Sequence, residues 1–289
     1  MLAALFAIIL FQNPNFREAR EAREATDNIA IVLNDEYRKL AQLYFPTPEN
    51  GKIVSSLTPA PRTALPNQLS VLVWNVWKGQ GQQNFSREFH LLSARRDLSL
   101  LQEGMADSFM LPVLRREKSQ GWTMATSFYV NQGSSRTGTI TGSVAAPLQA
   151  LGVRSPQEEP FLVTPKTALA TSYLLESGSR LLVVNIHGIN FVLNSYFREH
   201  IEQLLPLLRG FKGKVLFAGD FNTWNPGRLQ FLTQALHRAG FEQAVIPDDD
   251  RFLKLDHIFV KGCKIRNVSL HGWAKSSDHK PLTCDLDCR

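Results

Sequence analysis

The sequence predicts an α+β protein in which packed β-sheets carry helices on their outer faces. Three observations predict it. From Leu69 onward, short apolar runs recur between turn residues, as strands do. Several of these runs follow one another through short polar turns, the mark of hairpins, while helical patterns are few. Hydrophobic residues make up 44% of the 289 and charged residues 20%, the balance of a soluble globular protein able to bury a sizeable core.

The elements follow in order. Asn15–Tyr44 predicts a helix. Phe16 to Ala25 combines strong helix formers with closely spaced charges of both signs. Ile29, Val32, Leu33, Leu40 and Leu43 add a partial apolar stripe, and Pro46 and Pro48 end it. Residues 46–68, rich in Pro, Ser, Thr and Asn, read as a linker. The chain therefore divides into 1–45, an apolar start and N-terminal helix; 46–68, a linker; and 69–289, the main domain. Within that domain, strands are expected at 69–76, 98–102, 124–130, 139–145, 166–175, 180–186, 214–218, 255–260, 265–270 and 282–286. Helices are expected at 85–94, up to about Glu117, and at 195–209 and 228–239. Glu176-Ser177-Gly178-Ser179 turns one strand back on the next. Gly133–Arg136 and Gly152–Pro160 read as polar loops.

The net charge is +6. Residues 1–69 hold seven basic and seven acidic side chains, so the whole excess lies in the remainder, with 25 basic and 19 acidic. A basic surface favours an anionic partner: phosphate, nucleic acid or a lipid headgroup. The three cysteines, Cys263, Cys284 and Cys288, form no C-x-x-C pair. Neither a disulfide framework nor a zinc site is suggested, and a reducing compartment is the simpler reading. Residues 1–11 are wholly apolar, yet shorter than the roughly 17–25 residues that span a bilayer. No basic residue precedes the run and no small-x-small cleavage site follows it. The expectation is a cytoplasmic protein. The alternative is membrane association through the N-terminus, with residues 1–11 against the membrane surface.

Polar residues gather at the strand ends. Val71-Leu72-Val73-Trp74 leads into Asn75, and Leu98–Gln102 into Glu103. Leu181–Val184 leads into Asn185-Ile186-His187. Lys214–Ala218 leads into Gly219-Asp220-Phe221-Asn222, where a continued strand would put Asp220 and Asn222 on one face. Gly219 suggests an unusual backbone angle or a close approach by another group. Asp256-His257 opens a strand, and Ser277-Asp278-His279 precedes the last one. Singly, each has an ordinary explanation: a turn-capping Asn, a helix-start Glu, a satisfied core histidine. Together they supply the parts for metal-assisted attack on a phosphoester: a carboxylate for a hard cation, two histidines, and carboxylates to orient them.

In order and wording, these clusters resemble the endonuclease/exonuclease/phosphatase superfamily, whose members share a deoxyribonuclease I-like fold. The resemblance covers about residues 69–287. Within the superfamily the chain looks most like the bacterial YafD-type (UPF0294) group, through Leu72–Lys78, Pro165–Leu169, Val183–Phe191 and Ala218–Trp224. The resemblance implies a two-layer β-sandwich flanked by helices, with the site at one rim. It makes Glu103 the principal Mg²⁺ ligand, with Mn²⁺ able to substitute, Asn75 beside the metal, and Asp278 a metal-proximal acid. Asp220 and Asn222 would orient the attacking water and bind phosphate. His279 would be the general base or a phosphate-charge stabiliser, with Asp256 as its partner. His187 would contact the phosphate or protonate the leaving oxygen. Asn185 and Lys166 are assigned to substrate phosphate, although Lys166 also reads as a strand-end charge.

There are departures from the pattern. Trp77 stands where abasic-site endonucleases have an acid, so the metal site leans on Glu103. Thr137–Thr141 matches the family's Gly-containing strand only loosely, and no carboxylate partner for His187 stands out. The expected activity is Mg²⁺-dependent phosphodiester hydrolysis of the nuclease type, by direct attack of water. Arg95, Arg96, Arg115 and Arg116 are possible groove contacts for nucleic acid. The alternatives are a phospholipid or small-molecule phosphoester hydrolase, favoured by residues 1–11, Trp77 and Trp224, and a non-catalytic interaction module.

Overall fold

A computed structural model describes residues 35–130, 133–160 and 162–289. Residues 1–11 and most of the expected N-terminal helix lie outside the described residues; the last part of that helix is present as Asp35–Tyr44. Fourteen strands follow: β1 (Val54–Thr58), β2 (Ala64–Leu65), β3 (Gln68–Asn75), β4 (Leu98–Ala106), β5 (Gly121–Val130), β6 (Ser135–Ser143), β7 (Gln149–Glu159), β8 (Thr164–Leu175), β9 (Arg180–His187), β10 (Lys214–Asp220), β11 (Glu242–Gln243), β12 (Asp256–Lys261), β13 (Lys264–Leu270) and β14 (Leu282–Asp287). They form two seven-stranded sheets. One runs β1-β5-β6-β4-β3-β14-β13. The other runs β11-β12-β10-β9-β8-β2, with β7 also paired to β8.

Period-2 alternation sorts the apolar residues into layers. Val71, Val73, Leu98 and Leu100 of the first sheet meet Leu181, Val183, Leu216, Ala218, Ile258 and Val260 of the second, forming the seam between the sheets. Their neighbours Leu72, Trp74 and Leu101 face outward, under helices Gln82–Ser93 and Met110–Arg116, with Phe85, Phe89 and Met110. On the far side Leu182, Val184, Val215 and Phe217 pack against Phe197, Ile201, Leu232 and Leu236 of helices Asn194–Glu202 and Pro226–Arg238. The chain is thus an α+β sandwich of two sheets between two helical layers.

Several expectations need correction. Residues 46–68 are not a bare linker. β1 pairs with β5 and β2 with β8, so this stretch is woven into both sheets. Gly152–Pro160 is not a loop: all of it but Pro160 is strand. β7 is held by β8, and Pro156 falls at the irregularity in their register between Arg154 and Glu158, where a missing N–H is tolerated. The expected helix 195–209 is two helices, with Pro206 at the start of the second, Leu205–Gly210. The cysteine reading also fails, because Cys263 and Cys288 form a disulfide with their Cα atoms 4.4 Å apart. Lys264 is opposite Asp287 in the β13–β14 hairpin, so the next residues outward meet. The bond removes the cysteine-based case for a reducing compartment; Cys284 stays free and buried. No helix among the described residues is long and apolar enough to cross a membrane.

Candidate active site

The seam between the sheets turns polar at one end. The inward positions that carry Val71 and Val73 continue to Asn75, and those of Leu98 and Leu100 to Gln102. Leu181 and Val183 lead to Asn185 and His187, and Leu216 and Ala218 to Asp220. Asp256 begins the run that continues as Ile258 and Val260. Register completes the gathering: Asp220 lies beside His187 in the parallel β9–β10 pair and opposite Asp256 in the antiparallel β10–β12 pair.

Asp220 is the hub. Its Oδ2 accepts the Asn75 amide at 2.9 Å, and its Oδ1 accepts the Asn222 backbone N–H at 2.9 Å. His187 Nε2 lies 3.6 Å and His279 Nε2 3.8 Å from the same Oδ2. On its other nitrogen, His279 Nδ1 meets Asp256 at 2.9 Å, and Arg251 contacts both the carbonyl and the carboxylate of Asp256. Burial opposes charge on His279, but Asp256 and Asp220 outweigh it and push its pKa up to about 10. Burial drives Asp220 the other way from an ordinary acid, up to about 7, with His279 opposing and Asp256 adding to the rise. His187 is held well below the usual histidine value by burial and Lys166, so it is a neutral imidazole. The turn bearing His279 is anchored from three sides. Glu88 accepts the Lys275 and Ser276 N–H groups, Ser277 Oγ donates to the Asn75 carbonyl at 2.6 Å, and Trp74 Nε1 donates to the His279 carbonyl at 3.0 Å.

Glu103 reaches the same place by a different device. In a regular strand it would point away from Gln102, toward the outer helices. A register break between Leu101 and Gly104 and a left-handed backbone at Glu103 (φ +52°) turn it inward. Its carboxylate pairs directly with Lys78 and lies 3.9 Å from His187 Nε2. Trp77 and Lys78 are left-handed too, at φ +45° and +56°. Such conformations cost roughly 1–3 kcal/mol each in non-glycine residues and cluster at functional sites. Behind Glu103, Lys166 pairs with the buried Glu159 at 3.2 Å. Burial would raise the Glu103 pKa; the ammonium groups of Lys166 and Lys78 reverse this and hold it well below the usual carboxylate range.

Three expected residues sit differently. Asn185 is fully buried and does not face a substrate. Its Nδ2 donates to the Leu101 and Ile140 carbonyls at 3.2 and 3.0 Å, and its Oδ1 accepts Gln102 Nε2 at 2.7 Å, so it ties one sheet to the other. Asn222 does not continue the strand: β10 ends at Asp220, and Asn222 is left-handed (φ +54°), its amide donating to the Gly188 carbonyl at 2.8 Å. It shapes the loop around Asp220. Asp278 is exposed beside Ser277, outside the buried cluster. Gly219 is where it must be (φ +142°), since a Cβ there would lie 2.1 Å from the Ile186 carbonyl oxygen.

Comparison with known proteins places this arrangement. The sequence profile of the Endonuclease/Exonuclease/phosphatase family matches residues 72–279, a span that holds every polar site residue just described. The chain belongs to this family. A UPF0294 protein of Vibrio parahaemolyticus is 35% identical over 228 residues, covering 74% of this chain and 76% of the relative. A UPF0294 protein of Klebsiella pneumoniae is 31% identical over 235 residues, covering 76% and 82%. Among solved structures, the human Nocturnin catalytic domain with bound sulfate anion aligns with a TM-score of 0.57 at 18% identity, covering 77% of this chain and 95% of that one. ANGEL2, a 2',3'-cyclic phosphatase, aligns at 0.59 and 14%, covering 76% and 95%. These structures show the shared sandwich fold. Members of the family are generally hydrolases of phosphoester bonds and usually use a divalent metal.

The donors present fit such an ion in one place. Mg²⁺ takes one or two carboxylates and completes its octahedron with water and substrate oxygens. Glu103, with its side chain 20% exposed, offers a hard carboxylate at the rim. Asn75 offers less, because its Oδ1 accepts the Trp77 N–H at 3.1 Å. Asp220, Asp256 and His279 bring ligand-type atoms within 4.8 Å of one another, but they are already engaged: Asp256 holds His279 Nδ1 at 2.9 Å, and Asp220 accepts the Asn75 amide and the Asn222 N–H.

Sequence reasoning missed five contributors: Lys78, Glu159, Glu88, Arg228 and Arg251. Lys78 lay inside a quoted motif, and Glu159 was hidden in a strand read as loop. Arg228 is almost fully buried and donates to the Ile189, Val192 and Asn222 carbonyls at 2.6–3.1 Å, binding together the loops that follow His187 and Asp220. An arginine one turn into an apolar helix that opens Asn225-Pro226 was its only signal.

Proposed function

We propose that this protein is a divalent-metal-dependent phosphodiesterase, with nucleic acid the first substrate class to test. The observation that carries the reading is the contact chain Glu103–His187–Asp220–His279–Asp256 at one end of the inter-sheet seam. Asp220, with a pKa near 7, is matched to take a proton from water at neutral pH. His279, held cationic by Asp256, is suited to stabilise the negative charge that grows on a phosphoryl oxygen. His187 is neutral, and its Nε2 lies 3.6 Å from Asp220 and 3.9 Å from Glu103, too far for a hydrogen bond to either, so an Nε2 proton would be available to a phosphate oxygen or leaving group. Glu103 would hold Mg²⁺ or Mn²⁺, which supplies charge neutralisation at the phosphate. No side chain is called on as a nucleophile, so the reading is direct attack by water. The basic excess of residues 70–289 agrees with an anionic substrate.

A second reading, hydrolysis of a phospholipid or small phosphoester, draws on Trp77 and Phe191. Both follow site residues closely in sequence and are 39% and 40% exposed. The test is a panel of DNA, RNA, phospholipid and generic phosphodiesters with Mg²⁺ or Mn²⁺, beside Asp220→Asn as control. Turnover of a nucleic acid that falls steeply with salt supports the first reading. Turnover confined to lipid supports the second. No turnover on any substrate, or full turnover by the variant, overturns both.

A further inference from the structure

We propose that Lys78 is a displaceable counter-ion: it holds the Glu103 carboxylate until a divalent cation takes its place, and the released ammonium then meets the substrate phosphate. The inference rests on the reading of Glu103 as the metal ligand. Lys78 Nζ pairs directly with Glu103 Oε2, the carboxylate that a hard cation would need. A cation bound to that same oxygen would meet the ammonium at contact distance, where the two repel strongly.

Which lysine yields is fixed by burial. The Lys166 side chain is 14% exposed and tied to Glu159 at 3.2 Å. The Glu159 carboxylate is in turn held by the Asn190 N–H at 2.9 Å. Lys166 therefore stays and keeps that side of Glu103 positive. The Lys78 side chain is 34% exposed, and Glu103 is the only ion-pair partner recorded for it among the described residues. A flexible four-carbon stem lets its ammonium swing away while the backbone stays put.

The position of Lys78 gives the motion a use. It stands three residues beyond Asn75, which is bonded to Asp220, so the freed ammonium remains beside the place where phosphate must lie. A phosphate oxygen would stabilise the swung-out lysine, and a metal would stabilise the vacated carboxylate. Each ligand should therefore strengthen the binding of the other. The site would stay closed to stray cations and open fully only for metal and phosphate together.

The experiment is Mn²⁺ binding to the full chain, followed by the electron paramagnetic resonance signal of free Mn²⁺, with and without sulfate as the phosphate stand-in. Wild type is expected to bind Mn²⁺ at least fivefold more tightly with sulfate. Lys78→Met, with Lys78→Gln as a second variant, is expected to bind at least tenfold more tightly than wild type without sulfate, and to lose the sulfate effect. Glu103→Gln is expected to bind poorly in either background. If Glu103→Gln abolishes binding but the Lys78 variants bind no tighter, or wild type shows no sulfate effect, the counter-ion role is overturned while the metal site stands. If Glu103→Gln binds Mn²⁺ as wild type does, the metal assignment fails and the Lys78 role fails with it.

Discussion

The His279–Asp256 pair makes the sharpest prediction. Replacing Asp256 by Asn keeps the shape and leaves an oxygen for Arg251, but removes the charge 2.9 Å from His279 Nδ1. The rise of His279 from 6.5 to about 10 corresponds to roughly 5 kcal/mol at 1.36 kcal/mol per pH unit. Of the three acidic groups that raise it, Asp256, Asp220 and Asp278, Asp256 is the largest contributor and the only one hydrogen-bonded to His279, so about half or more of that, ~2–3 kcal/mol, should vanish. The His279 titration should then fall by about two pH units. The sign for stability follows from a folded value above the unfolded one. The pair's stabilisation is complete below pH 6.5 and is lost as pH rises toward 10. Wild type and Asp256→Asn should therefore differ most at pH 6 and converge at alkaline pH. The assay is the imidazole titration of His279 by nuclear magnetic resonance, assigned with His279→Gln, beside urea unfolding at several pH values. In turnover, wild type should rise with pH near 7 as Asp220 ionises and fall near 10 as His279 loses its proton; the variant's descending limb should move down. A His279 titration unchanged in Asp256→Asn would refute the reasoning.

Other expectations concern the frame that holds the site. Asn185→Leu should cost about 2–4 kcal/mol in urea unfolding, because it strands Gln102 and two buried carbonyls, yet change kcat/KM of the folded protein, in the proposed reaction, less than severalfold. A hundredfold loss would put Asn185 back at the substrate. Gly219→Ala drives a methyl into the Ile186 carbonyl and should destabilise by about 3 kcal/mol or more, with activity falling as Asp220 shifts; a wild-type melting temperature would contradict this. Cys263→Ala with Cys288→Ala should lower stability by about 3 kcal/mol, as expected for a bond across a 25-residue separation. Reductant should do the same to wild type, and its failure to do so would argue against the bond.

Much of the fold was legible because the seam obeys one rule. Val71, Val73 and Asn75 alternate with Leu72 and Trp74, and the same beat runs through Leu181–His187 and Leu216–Asp220. Anyone counting by twos arrives at a shared polar end. What the count could not show is where it breaks. Glu103 is one step out of phase and reaches the site only through a bulge, which a single sequence does not announce. Asn222 keeps the beat on paper but leaves the strand, because the Asp220 carboxylate captures its N–H and turns the chain. Asn185 keeps the beat in fact, yet sits one step short of the rim, so its amide meets the facing sheet instead of solvent. β7 was unreadable because its pairing comes wholly from β8, while its own Gly152, Pro156 and charges speak for a loop. The Cys263–Cys288 bond follows from the hairpin register, which composition alone does not supply.

The two sheets each hold half of the site. Asn75 and Glu103 come from one; His187, Asp220 and Asp256 come from the other. Their alignment depends on how the sheets are seated, and just below the rim the Asn185–Gln102 clamp pins that seating. The geometry of the site is therefore a vernier for sliding of one sheet over the other. A slip of an ångström, too small to expose the apolar layer beneath, would separate Asn75 from Asp220. Conditions that loosen the sandwich should silence such a site well before the chain unfolds.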